Sequence, residues 1–282
     1  MTQSVRAALK QASQIMVSAG VAAAQRDARL LMAFVLGFEP HQVSLHGDAM
    51  LDVDQGVAFT AAVKLRASRV PISHILGYRD FFETRFILTS DVLDPRPETE
   101  QLVSHALSES FETVLDLGTG SGCILLSLLA KQPLAHGVGV DQSAKAIAVA
   151  KLNAQKMQLI ARVEFLVSNW FSEVPATKFD LIVSNPPYIH PNAMAALSAE
   201  VLHEPELALT DHDDGLSHYR NITKQANDFL TPNGRLIFEI GFDQGGAVSK
   251  ILAQQQFHDI VILNDLNHHP RVVACRVLNL YT

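Results

Sequence analysis

The chain has 282 residues, 48% of them hydrophobic and 18% charged, which is enough apolar material for one large or two smaller cores and too little charge for long disordered tails. A formal net charge of −7 argues against a protein held to nucleic acid mainly through phosphates, which needs a basic surplus. Cys123 and Cys275 lie far apart with no C-x-x-C and are expected to be buried thiols in a reducing compartment. No signal-peptide order and no apolar run of bilayer length occur, so a cytoplasmic location is expected. None of the histidines, including His203, His212, His218, His268 and His269, has a zinc spacing, and no metal site is expected.

Residues 1–70 read as short helices forming a unit for substrate recognition. Val5, Ala8, Leu9, Ala12, Ile15 and Met16 recur at helical spacing behind a capping Ser4. Ala28, Leu31, Met32 and Val35 continue the pattern to a stop at Gly37. A third helix near Asp52 to Arg69 would present Val53, Val57, Ala61 and Leu65. A basic run at Lys64, Arg66, Arg69, Arg79 and Arg85, set against Asp80 and Glu83, reads as a solvated face. Residues 71–93 form a connector in which Tyr78, Phe81, Phe82, Phe86, Ile87 and Leu88 indicate a β-hairpin. The third segment, residues 94–282, opens with Asp94-Pro95-Arg96-Pro97-Glu98-Thr99-Glu100, where proline and carboxylates suit a helix start.

From Thr113 onward strands alternate with helices. Strands are expected at Thr113 to Leu117, Gly137 to Val140, Val163 to Val167, Phe179 to Ser184, Arg235 to Ile240, Asp259 to Leu263 and Val272 to Leu278. Cys123 to Ala130 and Ser143 to Lys156 read as helices. Continuous apolar strands between amphipathic helices indicate a doubly wound, mostly parallel α/β sheet of Rossmann-like type.

Ligands of such folds bind beyond the carboxyl ends of the strands. After the first strand comes Gly118-Thr119-Gly120-Ser121-Gly122, where glycines allow a sharp turn and amides are expected to face a ligand. The next strand ends in Asp141, an acceptor-only group suited to ribose hydroxyls. The third ends in Ser168-Asn169-Trp170, where the single indole is placed to cover an adenine. A nucleotide-dependent dehydrogenase would share Asp141, and the loop alone would also suit a plain strand-helix turn. Three such strand ends in succession favour a cofactor site.

Directly after the fourth strand stands Asn185-Pro186-Pro187-Tyr188. Two prolines make a stiff turn, and they also hold a carbonyl with no competing amide hydrogen. The Asn185 side-chain oxygen and the Pro186 carbonyl match the two N–H donors of a planar NH₂ group, and Tyr188 adds a ring for that group to lie against.

The glycine loop together with Asn185-Pro186-Pro187-Tyr188 resembles the class I amino-methyltransferases. Pro71-Ile72-Ser73-His74-Ile75-Leu76-Gly77, Pro95 to Glu100, Glu204-Pro205 with Ala208-Leu209, Asp214-Gly215-Leu216 and Arg271-Val272-Val273 narrow the likeness. In that order they are similar to the peptide chain release factor glutamine N5-methyltransferases. The resemblance implies S-adenosyl-L-methionine as cofactor, held by Gly118 to Gly122, Asp141, Trp170 and Asn185. It implies that Asn185, Pro186, Pro187 and Tyr188 hold the glutamine of the Gly-Gly-Gln motif of class-1 release factors, with Asn185, Pro186 and Tyr188 at the reaction. No direct nucleic acid and no membrane are implied. Two positions depart from the family pattern: Asn169 stands where Asp is usual, and Asp94 replaces an apolar residue, placing a charge near the expected substrate entrance. Competing readings are a ribosomal-protein glutamine methyltransferase, a DNA adenine methyltransferase, which the acidic balance opposes, and a binding protein with a degenerate cofactor site.

Overall fold

A computed structural model describes residues 3–277. The chain divides into two compact units, one running to Gly77 and taking in Ser198–His203, the other made of the remainder.

The first unit is helical. Helix α1 (Val5–Ser18) is capped by Ser4, whose side chain accepts from the Ala7 amide at 3.3 Å, and it buries Val5, Ala8, Ala12 and Met16. Helix α2 (Ala24–Leu36) stops at Gly37 in the left-handed conformation, with φ 67°. Helix α3 (Val53–Ala67) starts with a capping box in which Asp52 and Gln55 bond each other's backbone amides. A single turn, α4 (Ile72–Leu76), completes the unit.

The buried face of α3 differs from the expected one. Phe59, Ala62, Val63 and Arg66 point inward, while Val53 and Val57 are 72% and 66% exposed and Leu65 is 49% exposed. The large ring of Phe59 decides the rotation, and Arg66 follows it inward because partners wait there. Its Nε donates to Asp27 Oδ2 at 2.8 Å and its Nη2 to Glu200 Oε1 at 2.9 Å. Arg69 Nε also donates to Glu200, at 2.7 Å. Part of the basic run is therefore not a solvated face: Arg66 is buried and paired and Arg69 is paired, while Lys64 is exposed and Arg85 bonds the exposed Asp80 at 2.8 Å.

The second unit opens with a hairpin, β1 (Tyr78–Phe81) and β2 (Thr84–Ile87), whose two turn residues Phe82 and Glu83 both have positive φ, the geometry of a twist-matched tight turn. A 3₁₀ turn at Pro97–Thr99 leads into α5 (Glu100–Ala106). Then follow β3 (Thr113–Leu117), α6 (Cys123–Lys131), β4 (His136–Asp141), α7 (Ala144–Lys156), β5 (Val163–Val167) and β6 (Phe179–Ser184). The last elements are α8 (Ser217–Phe229), β7 (Leu230–Glu239), α9 (Gly245–Gln254), β8 (Phe257–Asn264) and β9 (Pro270–Val277).

Seven strands make one sheet in the order β5-β4-β3-β6-β7-β9-β8. The first five are parallel, and β9 runs antiparallel to both β7 and β8. Alternation along each strand feeds two cores. Val114, Leu181, Val183 and Ile237 pack with Leu102 of α5, Leu125 of α6 and Ile147 of α7. Leu115, Ile182, Leu236 and Phe238 pack with Ile222 of α8 and Val248 of α9. Helices thus cover both faces, as in a doubly wound fold. Strand β7 begins five residues before the expected Arg235, because a register irregularity opposite Phe179 and Leu181 absorbs the Asn233-Gly234 turn signal. The expected end of the last strand, Leu278, lies outside the described residues.

Candidate active site

Strand order reverses at β3, with β4 and β5 on one side and β6 and β7 on the other. A crevice opens at such a switch point, and here it spans roughly 760 Å³, the solvent at its open mouth included. Gly118 and Gly120 line it from the end of β3, Asp141 and Ser143 from β4, Ser168, Asn169 and Trp170 from β5, and Asn185 and Pro187 from β6.

The glycine loop is shaped by Gly118, Gly120 and Gly122, all in the left-handed region at φ 76°, 55° and 79°. A Cβ on Gly118 would stand 3.7 Å from the Trp170 ring, whereas one on Gly122 would meet Leu126 at 3.1 Å and Ala150 at 3.3 Å. Gly118 therefore keeps the crevice open, and Gly122 serves helix packing. Contrary to the expectation from the sequence, four of the five loop amides do not face a ligand. Those of Gly118 and Thr119 donate to Val140 O at 2.9 Å, that of Gly122 to Thr119 O at 2.8 Å, and that of Gly120 to Asp141 Oδ2 at 3.0 Å. Thr119 and Ser121 are buried, and the Thr119 hydroxyl donates to Asp116 Oδ2 at 2.7 Å. Burial pushes the Asp116 carboxyl up to about 7, against the pull of Thr119 and the Leu125 amide.

Asp141 ends β4 facing the crevice. Its Oδ1 accepts from the Ser143 amide at 2.8 Å and its Oδ2 from Gly120. Burial raises its pKa, and these two amides oppose the rise. Trp170 sits at positive φ, its indole centroid 4.9 Å from the His218 ring. The Asn169 side chain is exposed at the crevice rim, while its carbonyl accepts from Ser172.

Ser184 anchors the end of β6 by donating to Leu117 O at 2.7 Å. Asn185 follows, half-buried at the crevice wall, and Pro186 is buried. Tyr188 stands away from the crevice lining, with its hydroxyl 3.4 Å from Glu239 Oε1. Its carbonyl accepts from Gln244 Nε2 at 3.0 Å.

Several residues at the site escaped the sequence reading. Asp91 to Leu93 and Leu207 line the crevice from loops with no chemical signature, and Pro205 and Ala208, read only as part of the family resemblance, line it too. Asn153 of α7 ties the hairpin to the glycine loop: its Oδ1 accepts from the Ile87 amide at 2.7 Å, and its Nδ2 donates to Ile87 O at 3.0 Å and Ser121 O at 2.9 Å. Asn153→Ala should cost on the order of 1–2 kcal/mol, because water entering the vacated space re-satisfies part of what is lost. Denaturant unfolding checks it, and a midpoint equal to wild type would show that the tie contributes nothing. Asp94 does not present a charge at an entrance. It is buried, 3.6 Å from Arg79 Nε and 3.9 Å from Arg96 Nη1, while Arg96 also pairs with the buried Glu204 at 2.6 Å.

Among the described residues no group of three or more His, Cys, Asp or Glu is placed to hold a metal ion, and no helix is long and apolar enough to cross a membrane. Both cysteines are buried and unpaired.

Residues 7–77 match the family model described as PrmC N-terminal domain, and residues 87–213 match that of the methyltransferase small domain. A release factor glutamine methyltransferase of Cereibacter sphaeroides is 45% identical over 271 residues, 96% of this chain and 97% of that protein. One of Agrobacterium fabrum is 40% identical over 281 residues, again 96% and 97%. Among solved structures, a methyltransferase from Pyrococcus furiosus is similar in fold. It aligns at a TM-score of 0.54 and 13% identity, covering 68% of this chain and 88% of that one. With a class I methyltransferase fold and relatives matched along nearly their whole length, the chain belongs to the release factor glutamine methyltransferase family.

Proposed function

We propose that this protein transfers a methyl group from S-adenosyl-L-methionine to the side-chain amide nitrogen of the glutamine in the Gly-Gly-Gln motif of class-1 release factors. The observation that carries the reading is that Asn185 and Pro187 line the same crevice as Asp141 and Trp170. The methyl acceptor and the methyl donor would therefore meet in one place.

The residues present fit the cofactor. Asp141 offers a carboxylate to ribose hydroxyls, Trp170 and Asn169 flank the place for adenine, and the bare Cα of Gly118 leaves the gap before the indole open. When bound, S-adenosylmethionine supplies an electrophilic methyl group on a sulfonium. Asn185 and the Pro186 carbonyl then have a defined task. An amide nitrogen is a poor nucleophile because its lone pair is shared with the carbonyl. Two fixed acceptors hold both N–H bonds and turn the lone pair toward the methyl carbon, so rate comes from orientation and preorganised dipoles. The nitrogen becomes acidic as it gains the methyl, and its proton leaves to water afterwards.

The helical unit is assigned to recognition of the release factor. Its support is the exposed apolar row Val53, Val57 and Leu65 on α3, since exposed apolar rows mark contact surfaces. With a net charge of −7, direct nucleic-acid binding is not required, and the cytoplasm, where translation runs, is the proposed location.

The test is transfer of radiolabelled methyl from S-adenosylmethionine to purified release factor. Label in the release factor is expected. Label in a ribosomal protein instead, or in neither, would sink the assignment.

A further inference from the structure

Glu239 is the last residue of β7 and is 1% exposed. Alternation along the strand sends Leu236 and Phe238 to one core and Ile237 to the other, so Glu239 shares the face of Ile237. There its Oε1 lies 3.4 Å from the Tyr188 hydroxyl, while its Oε2 is buried with no hydrogen-bond partner among the described residues. A leucine at this position would pack without that desolvation cost, so a buried carboxylate is retained against stability. Five residues on from Glu239, Gln244 donates from Nε2 to the carbonyls of Tyr188 and Gly215, at 3.0 and 3.1 Å, and accepts from the Gly241 amide at 2.9 Å. Tyr188 is thus held at both ends by one segment, its carbonyl by Gln244 and its phenol by Glu239.

We propose that Glu239 is a positioning residue for methyl transfer: its carboxylate takes the hydrogen bond of the Tyr188 hydroxyl and so fixes the end of the turn that carries Asn185 and Pro187 at the crevice wall. The proposal rests on the glutamine-transfer reading above. Glu239 touches neither substrate nor cofactor and acts only through Tyr188.

The surroundings make this contact pH-dependent. Glu239 is faced by Arg271 of β9, by Glu98 and Thr99 in the turn before α5, by Cys123 of α6, and by Tyr219 of α8, whose hydroxyl donates to the Glu239 carbonyl at 3.0 Å. Burial outweighs the Arg271 charge and the hydroxyl contacts, and pushes the Glu239 carboxyl up to about 7. The ionised form, which accepts most strongly from the phenol, is populated above that value and lost below it. Positioning should therefore improve as pH rises through about 7.

The experiment compares wild type, Glu239→Gln, Tyr188→Phe and the double variant, with release factor as substrate. Trading a charged acceptor for a neutral one should lower kcat roughly fivefold. KM for the release factor and affinity for S-adenosylmethionine should stay within about twofold, since the cofactor wall is untouched. The wild-type rise in kcat across neutral pH should flatten in Glu239→Gln, and in the Tyr188→Phe background Glu239→Gln should change nothing further. A separate readout needs no turnover: in protein labelled with ¹³C-tyrosine, the Tyr188 ring-carbon resonance, assigned by its loss in Tyr188→Phe, should shift with pH through neutrality and cease to do so in Glu239→Gln. Wild-type kcat and pH profile in Glu239→Gln, an equal effect of that change in both backgrounds, or a Tyr188 resonance indifferent to Glu239 would each overturn the proposal. Should wild type leave the release factor unmodified, the reaction assignment falls, and the resonance still decides whether Glu239 and Tyr188 are coupled. If Glu239→Gln does not fold, Tyr188→Phe alone must show the same kcat loss and flattened profile.

Discussion

Replacing Asn185 by alanine is expected to cut single-turnover methyl transfer by on the order of a hundredfold or more while leaving fold and cofactor affinity nearly intact. Asn185 follows directly on β6, whose end is locked by the bond from Ser184 to Leu117, so its side chain is carried on a rigid support. Its amide makes no hydrogen bond to another described residue and lines the crevice, which leaves the oxygen available to one N–H of the target. With alanine there, the glutamine NH₂ keeps a single protein acceptor and rotates away from the productive direction. Backbone and neighbouring prolines are unaffected, so the loss should fall on the chemical step. Asn185→Asp makes a useful comparison, since it keeps an acceptor oxygen but adds a charge. Single-turnover rates near wild type for Asn185→Ala would remove Asn185 from the reaction.

The second large effect is expected at Asp141. Loss of a charge-assisted bond to a ribose hydroxyl weakens binding by roughly 1.5–3 kcal/mol, about a tenfold to a hundredfold loss of S-adenosylmethionine affinity. Asp141→Ala also releases the amides of Gly120 and Ser143, so part of the loss arises from a loosened glycine loop. Asp141→Asn separates the two contributions: its oxygen still accepts one of these bonds, and the charge is gone. Isothermal titration with S-adenosylmethionine measures both variants. Affinity equal to wild type in Asp141→Ala would place the cofactor elsewhere.

What could be read from the sequence follows a physical division. Chemistry carried on a few adjacent residues was legible, because short-range geometry fixes it. The left-handed glycines after β3, the carboxylate at the end of β4 and the rim indole after β5 all project at successive strand ends. Features that depend on distant partners were not. Arg66 looked like part of a solvated charge run because its partners lie 39 and 134 positions away, and only their presence lets it follow Phe59 to the inside. The loop amides looked free because their acceptors, Val140 O and Asp141, belong to the neighbouring strand. Glu239 left one faint signal, a carboxylate inside the apolar run Leu236 to Ile240. Its meaning required knowing that the Tyr188 hydroxyl arrives at the same spot. The loop Asp91 to Leu93 carried no local sign that it would wall the crevice.

The crevice at the β3/β6 switch point is expected to deliver a methyl group to one glutamine. Tandem mass spectrometry of a class-1 release factor, incubated with this protein and S-adenosylmethionine, tests it most directly. The expected result is one added methyl group on the Gly-Gly-Gln peptide, placed by fragmentation on the glutamine side chain and absent with Asn185→Ala. A methyl group on any other residue, or an unmodified peptide from a protein that binds the cofactor, would contradict it.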